Sequence, residues 1–213
     1  MAITLLLLSA CASVTTINGT WTKPGVIAQK YKSIAVLGLS NDLVKRSTIE
    51  NSIVNDLTKA GIYAVGGSAL LPANLIDVDS DGKLNKGEKE IIAQKLTAAG
   101  VDGALVFVLK AIEKSTSYVP GTYDYAPGYG MYGFSGYYGD MYNIYGGGYY
   151  QTPGYYVENS NYEVTTNFYN VANEQLLWSA QSGTMNPSSL ADFSASYGSA
   201  LVQSFLESGV VRK

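Results

Sequence analysis

The residues of this chain best spaced for chemistry are oxygen donors. Asp77, Asp79 and Asp81 alternate, Gly82 follows, and Lys83, Asn85 and Glu88 complete a stretch of twelve positions. A hard cation of the size of calcium takes about six to eight oxygens at roughly 2.3–2.6 Å. The three aspartates supply side-chain oxygens at positions 1, 3 and 5, and Lys83 supplies its backbone carbonyl at position 7. Asn85 stands at position 9, where contact often runs through a water, and Glu88 at position 12 closes the shell with both carboxylate oxygens. Gly82 suits the sharp turn at position 6, and Leu84 offers an aliphatic side chain to the core. The expectation is one structural Ca2+ site on Asp77, Asp79, Asp81, Lys83, Asn85 and Glu88. The competing reading is an acidic surface turn that favours the start of the following helix.

Over these twelve residues the chain resembles the calcium loops of EF-hands and dockerins. The segment in front, Ser68 to Ile76, contains Pro72 and is too short for a full entering helix. Only half of an EF-hand is therefore implied, without the second loop on which a dockerin depends. A single unpaired loop implies weak affinity, on the order of 10⁻⁴–10⁻³ M.

Other chemistries are excluded by composition. The chain has no histidine, which removes histidine general bases, histidine triads and histidine-bound zinc. Its single cysteine, Cys11, permits neither an internal disulfide nor a cysteine metal cluster. No lysine or arginine lies between Lys114 and Arg212, so nucleic acid is not an expected partner. No acid and base pair stands apart from the expected calcium ligands, and the protein reads as a non-enzyme.

Cys11 has a specific context. Ile3 to Leu8 is a short apolar run, and Leu8-Ser9-Ala10-Cys11 has the order of a bacterial lipobox, in which the cysteine thiol takes a diacylglycerol. The start resembles a lipoprotein signal with Cys11 as the lipidation site, giving a signal segment 1–10 and a lipidated tether 11–31. The alternative is a buried amino-terminal strand over Met1 to Ser13. Lipid attachment implies the bacterial cell envelope, with the outer membrane facing the periplasm preferred over the inner membrane. The partners are then the membrane, through the lipid, and an envelope protein or glycan.

The elements that must position these groups follow from periodicity. Ser33 to Leu39 is an apolar run of buried-strand type. Ile49, Ile53, Val54 and Leu57 mark one face of a helix from about Lys45 to Gly61, with Ser47 and Glu50 spaced for a capping box. Ile62 to Val65 is the next strand, so a parallel crossover is predicted. Glu88 to Ala99 is a helix with Ile91, Ile92 and Leu96 inward, and Val101 to Leu109 is a third strand continuing toward Tyr118. Residues 119–154 are rich in tyrosine and glycine and nearly uncharged, which fits either a low-complexity loop or an extended hairpin arm. Tyrosine offers large amphipathic area at low entropy cost, so Tyr137, Tyr138, Tyr149 and Tyr150 are the candidate partner-binding residues. Tyr156 to Val171 and Gln175 to Ser179 form a hairpin with Trp178 in the packed face, and a closing helix carries Leu190, Phe193, Tyr197, Leu201, Phe205 and Leu206 in one stripe.

The predicted fold class is α/β (α+β), a mixed sheet of about five strands with three helices: two βα units, an antiparallel hairpin and a closing helix, in one domain over 32–213. Four stretches carry a resemblance to known proteins: Lys32-Ser-Ile-Ala-Val-Leu-Gly, Ala60-Gly-Ile-Tyr, Ala99-Gly-Val-Asp-Gly-Ala-Leu-Val and the hairpin from Tyr169 to Ala180. With the element order, they resemble the small envelope lipoproteins built like the amino-terminal domain of TolB, a fold shared with the curli-secretion lipoprotein and with lipoprotein activators of peptidoglycan synthases. The resemblance implies an accessory or assembly role through binding another envelope component. The other reading is a calcium-dependent glycan or peptidoglycan module that uses its tyrosines to stack on sugars.

Overall fold

A computed structural model of the chain describes residues 14–72, 75–76, 86–121, 123–125, 149–151 and 153–212. Contacts divide it into two units, one comprising residues 1–113 with 160–213 and the other residues 114–159.

The first unit is built on a six-stranded sheet in the order β1-β8-β7-β4-β2-β3. Strand β2 (Ile34–Gly38), which lies between β4 and β3, has every residue buried, as expected for a parallel strand covered on both faces. Helix α1 (Leu43–Lys59) carries the chain from β2 to β3 (Ala64–Gly66), which pairs parallel to β2 with Ile34 opposite Ala64. Helix α2 (Gly67–Leu70) and helix α3 (Lys86–Ala98) follow, and β4 (Gly103–Val119) returns parallel to β2 on its other side. Strands β7 (Tyr155–Asn170) and β8 (Gln175–Met185) form the antiparallel hairpin, and α4 (Leu190–Glu207) closes the unit. The mixed α/β class and both parallel crossovers are as predicted.

Alternation along β2 and β4 sorts the core into two layers. Ile34, Val36, Leu105 and Phe107 meet α1 and α4 through Ile53, Leu57, Tyr197, Leu201 and Phe205. Ala35, Leu37 and Ala104 meet α3 through Ile92 and Leu96. Trp178 is fully buried, with its ring 5.2 Å from Phe205, so its expected packing role holds.

Four details depart from the expectations, each for a physical reason. Residues 14–22, expected within a tether, form β1 (Val14–Thr22), which pairs antiparallel with β8. Thr15 ties that pairing to its neighbours: its Oγ1 lies 2.7 Å from Thr184 Oγ1 and accepts a 2.9 Å hydrogen bond from Ser196 of α4. The sheet therefore has a sixth strand, and the described residues hold four helices rather than three. Helix α1 starts two residues earlier than expected because Asp42 caps it, accepting from the Lys45 N–H, so Ser47 and Glu50 make no capping box. Ile91 is 43% exposed, leaving Ile92 and Leu96 as the inward face of α3.

The second unit contains the far parts of β4 and β7 together with a two-stranded ribbon, β5 (Tyr123–Tyr125) and β6 (Tyr149–Gln151), paired antiparallel. The tyrosine-rich stretch, read from sequence as either a loop or a hairpin arm, is described at these paired residues, and 126–148 lie outside the described residues. Tyr118 and Tyr156 in the same unit place their rings 5.1 Å apart, both exposed.

Candidate functional site

Helix α1 carries two charged residues on its buried face. Arg46 and Glu50 stand one turn apart and one turn before Ile53, continuing the stripe of Ile53 and Leu57 toward the helix start. Neither reaches water: Glu50 is 0% and Arg46 1% exposed. The Glu50 carboxylate accepts from the Gly38 N–H at 2.9 Å and the Ser68 N–H at 2.7 Å, tying the end of β2 to the start of α2. Such charge-assisted bonds let a carboxylate stay buried. Glycine at 67 gives it room, because a Cβ there would fall 3.1 Å from Glu50 Oε1 and 2.5 Å from Leu37 Cδ2.

Arg46 is less well satisfied. Its Nε donates to Ser68 Oγ and its Nη1 to the Ser40 carbonyl, both at 3.4 Å, and Nη2 has no hydrogen-bond partner. The ion pairs among the described residues join Lys45 to Asp42, Lys59 to Asp56 and Lys86 to Glu90, so the buried guanidinium meets only neutral oxygens. The Glu50 carboxylate, one turn along the same buried face and bonded to the same Ser68, is the opposite charge nearby, while Nη2 keeps an unused donor. Gly38 accommodates Arg46 at close range, since a Cβ at 38 would sit 2.9 Å from Arg46 Cγ.

Arg46 also lines a cavity of about 490 Å³ beside the carboxyl end of β2 and the middle of β4, under the first turns of α1 and α4. Phe107, Val164 and Phe193 line its inner part, and Leu109 and Ile112, each 47% exposed, stand toward solvent. Its polar lining consists of Ser40, Lys45, Arg46, Tyr162, Ser188 and Ser189, without a carboxylate. The aromatic part is held from behind: Phe193 stacks on Tyr197 at 5.6 Å, and the Tyr197 hydroxyl lies 2.6 Å from Thr166 Oγ1. Burial pushes the Tyr197 hydroxyl well above the ordinary tyrosine range, and its bond to Thr166 offsets only part of that, so it stays protonated. At the start of α1, the N–H bond from Lys45 holds the Asp42 carboxyl below its usual range. Around the α4 start, Ser189 accepts from the Asp192 N–H, and Asp192 accepts from Ser188, so that helix terminus is satisfied from within the chain.

The residues singled out from sequence lie elsewhere. Asp77, Asp79, Asp81, Lys83 and Asn85 fall outside the described residues, as do Cys11, Tyr137 and Tyr138. Glu88 lies in the first turn of α3, half-buried, and Ile76, directly before the loop, is buried beside Ile92 and Leu96. Tyr149 and Tyr150 belong to β6, opposite Tyr125 and Asp124. The sequence reading missed Arg46, Glu50 and the cavity. Its available signal was helical spacing: positions 46, 50, 53 and 57 share one face, so two charges were already bound to point inward.

Neither a protein-family model nor a curated protein matches the chain. Among solved structures, the fold is similar to a PelC dodecamer from Paraburkholderia phytofirmans, at 13% identity and a TM-score of 0.47, covering 94% of this chain and 100% of that one. It is also similar to lipoprotein GNA1162 from Neisseria meningitidis, at 15% identity and a TM-score of 0.41, covering 82% of this chain and 98% of that one. Both likenesses concern the arrangement of elements and carry no residue-level site across.

Proposed function

We propose that the protein is a lipid-anchored component of the bacterial cell envelope that acts by binding another envelope component, without catalysing a reaction. The observation that carries this reading is Cys11 in Leu8-Ser9-Ala10-Cys11, the only cysteine of the chain, standing three residues ahead of the first sheet strand. Three Cα steps span at most about 11 Å. A diacylglycerol on Cys11 therefore holds the β1 edge close to the bilayer instead of letting the domain stand off on a long tether. No helix among the described residues is long and apolar enough to span a membrane, so the attachment proposed is by lipid.

Calcium is the second part of the proposal. Helix α3 begins at Lys86, which puts Glu88 in its first turn at the twelfth position of the loop, and Ile76 is anchored in the core just before the first. Bound there, the ion would offset much of the repulsion among Asp77, Asp79, Asp81 and Glu88 and would fix how α3 leaves the loop.

Metabolic labelling with a palmitate analogue tests the anchor. Label and membrane fractionation are expected with the native chain and absent with Cys11→Ser; labelling that survives the substitution overturns the anchor. Calorimetric titration tests the metal, with one calcium per chain expected and none for Asp77→Ala with Glu88→Ala. Cross-linking in the intact envelope tests the binding role, and a chain that stays uncross-linked and whose deletion leaves the envelope unchanged refutes it.

A further inference from the structure

The cavity beneath α1 and α4 is lined by a buried arginine, Arg46, one nitrogen of which has no hydrogen-bond partner. We infer that it is a binding site for an amphiphile with one anionic head group and an alkyl chain, the head held by Arg46 and the chain lying against Phe107, Leu109, Ile112 and Phe193.

Three observations converge on that chemistry. The first is size and lining: about 490 Å³ bounded mostly by aliphatic and aromatic side chains, within the range of small-ligand sites, which combine apolar walls with a few orienting polar groups. The second is charge. Lys45 and Arg46 are the charged residues of the lining, and no carboxylate is among them. Lys45 is 65% exposed along its side chain and already paired with Asp42 at 3.0 Å, which leaves Arg46 as the fixed, desolvated charge. The third is the unused donor. Nη2 of Arg46 is buried without a partner, while its sister nitrogen reaches Ser40, another lining residue, at 3.4 Å. A buried donor left unpaired marks a missing acceptor, and a guanidinium prefers carboxylate or phosphate oxygens because its planar fork matches them. A neutral apolar ligand would leave that charge unanswered, and an inorganic anion would leave the apolar walls unused.

The position of the site suits a lipid source. Val14, the first residue of β1, pairs with Met185 of β8, and Tyr162 and Pro187 beside that sheet end line the cavity. An anchor on Cys11 would bring this end of the sheet to the bilayer, yet the ligand site stands on its own geometry and does not require the anchor.

The test uses the full-length chain carrying Cys11→Ser, which takes no diacylglycerol of its own. Binding of palmitate, of palmitoyl lysophosphatidylglycerol and of hexadecanol is measured by titration calorimetry. One equivalent of an anionic probe is expected, at least tenfold tighter than hexadecanol, whose chain is the same length without the charge. Palmitate alone binding tightly assigns a free fatty acid as the source; the lysophospholipid binding more tightly assigns a membrane phospholipid. Arg46→Met is expected to reduce the anionic probe to the level of hexadecanol while leaving hexadecanol binding unchanged, a split that a merely structural arginine would not produce. Leu109→Asp, at a half-exposed position that tolerates substitution, is expected to weaken all three probes. The inference is overturned if none of the probes binds, if hexadecanol equals the anions, or if Arg46→Met leaves their binding unchanged.

Discussion

Glu50→Gln is the most informative single change for the fold. The carboxylate accepts two backbone N–H groups, one on each oxygen, from Gly38 and Ser68. The amide has the same shape but one acceptor, so its NH2 must face one of those donors and leave it unpaired in a site sealed from water. A hydrogen bond to a charged group contributes roughly 1.5–3 kcal/mol, and an orphaned buried donor costs about 1–3 kcal/mol, in part the same energy counted from either side. The expected loss is about 2–3 kcal/mol for glutamine; alanine orphans both donors and opens a void, for roughly 3–6 kcal/mol. At about 2–4 °C per kcal/mol for a domain of this size, Glu50→Gln lowers the melting temperature by about 4–12 °C. Urea unfolding followed by fluorescence of the buried Trp178, in a Trp21→Phe background because Trp21 is half-exposed, reports on this unit alone. The control is Lys59→Ala, which removes an exposed pair with Asp56 and should change stability by no more than about 0.5 kcal/mol. A midpoint for Glu50→Gln that coincides with that control would refute the claim that the carboxylate ties β2 to α2.

Further expectations concern pH, the aromatic layer and the metal. The Tyr197 hydroxyl is pushed up by burial, so its contribution is fully present below the unfolded tyrosine value near about 10 and is lost as pH rises beyond it. Tyr197→Phe should abolish that alkaline component in a melting-temperature profile, while costing about 1–3 kcal/mol at neutral pH because Thr166 loses its partner. Asp42 has the opposite sign: its lowered carboxyl stabilises α1 above the unfolded aspartate value near about 4, and the contribution fades as pH falls through the folded value. Amide exchange in the first turn of α1 should accelerate there in the native chain and be accelerated at every pH in Asp42→Ala. With a calcium affinity on the order of 10⁻⁴–10⁻³ M, 10 mM calcium, at about 10–100 times that value, stabilises by about 1.4–2.7 kcal/mol; chelation that leaves the melting temperature unchanged argues for an acidic turn.

Much of the architecture was legible because its signals are local. The unbroken apolar run at β2, the stripe of Ile53 and Leu57 on α1, Phe193 to Phe205 on α4, and the turn between β7 and β8 each state their conformation within a few residues. The order of strands and helices then left the parallel crossovers as the available connection. Twelve residues also sufficed to propose a metal, because a calcium loop carries nearly all its ligands in sequence.

What the sequence alone left open depends on pairs far apart along the chain. Val14–Thr22 is polar and turn-rich in isolation, and it becomes a strand only because β8 offers an edge to which Thr15 can bond at Thr184, 169 residues away. Glu50 resembled half of a local cap, yet the donors it meets come from the end of β2 and the start of α2. Arg46 is an ordinary helix-surface arginine until α1, α4, the end of β2 and the middle of β4 close around it. Backbone conformation is chosen by neighbours in sequence; burial, and with it the chemistry of a charge, is chosen by neighbours in space.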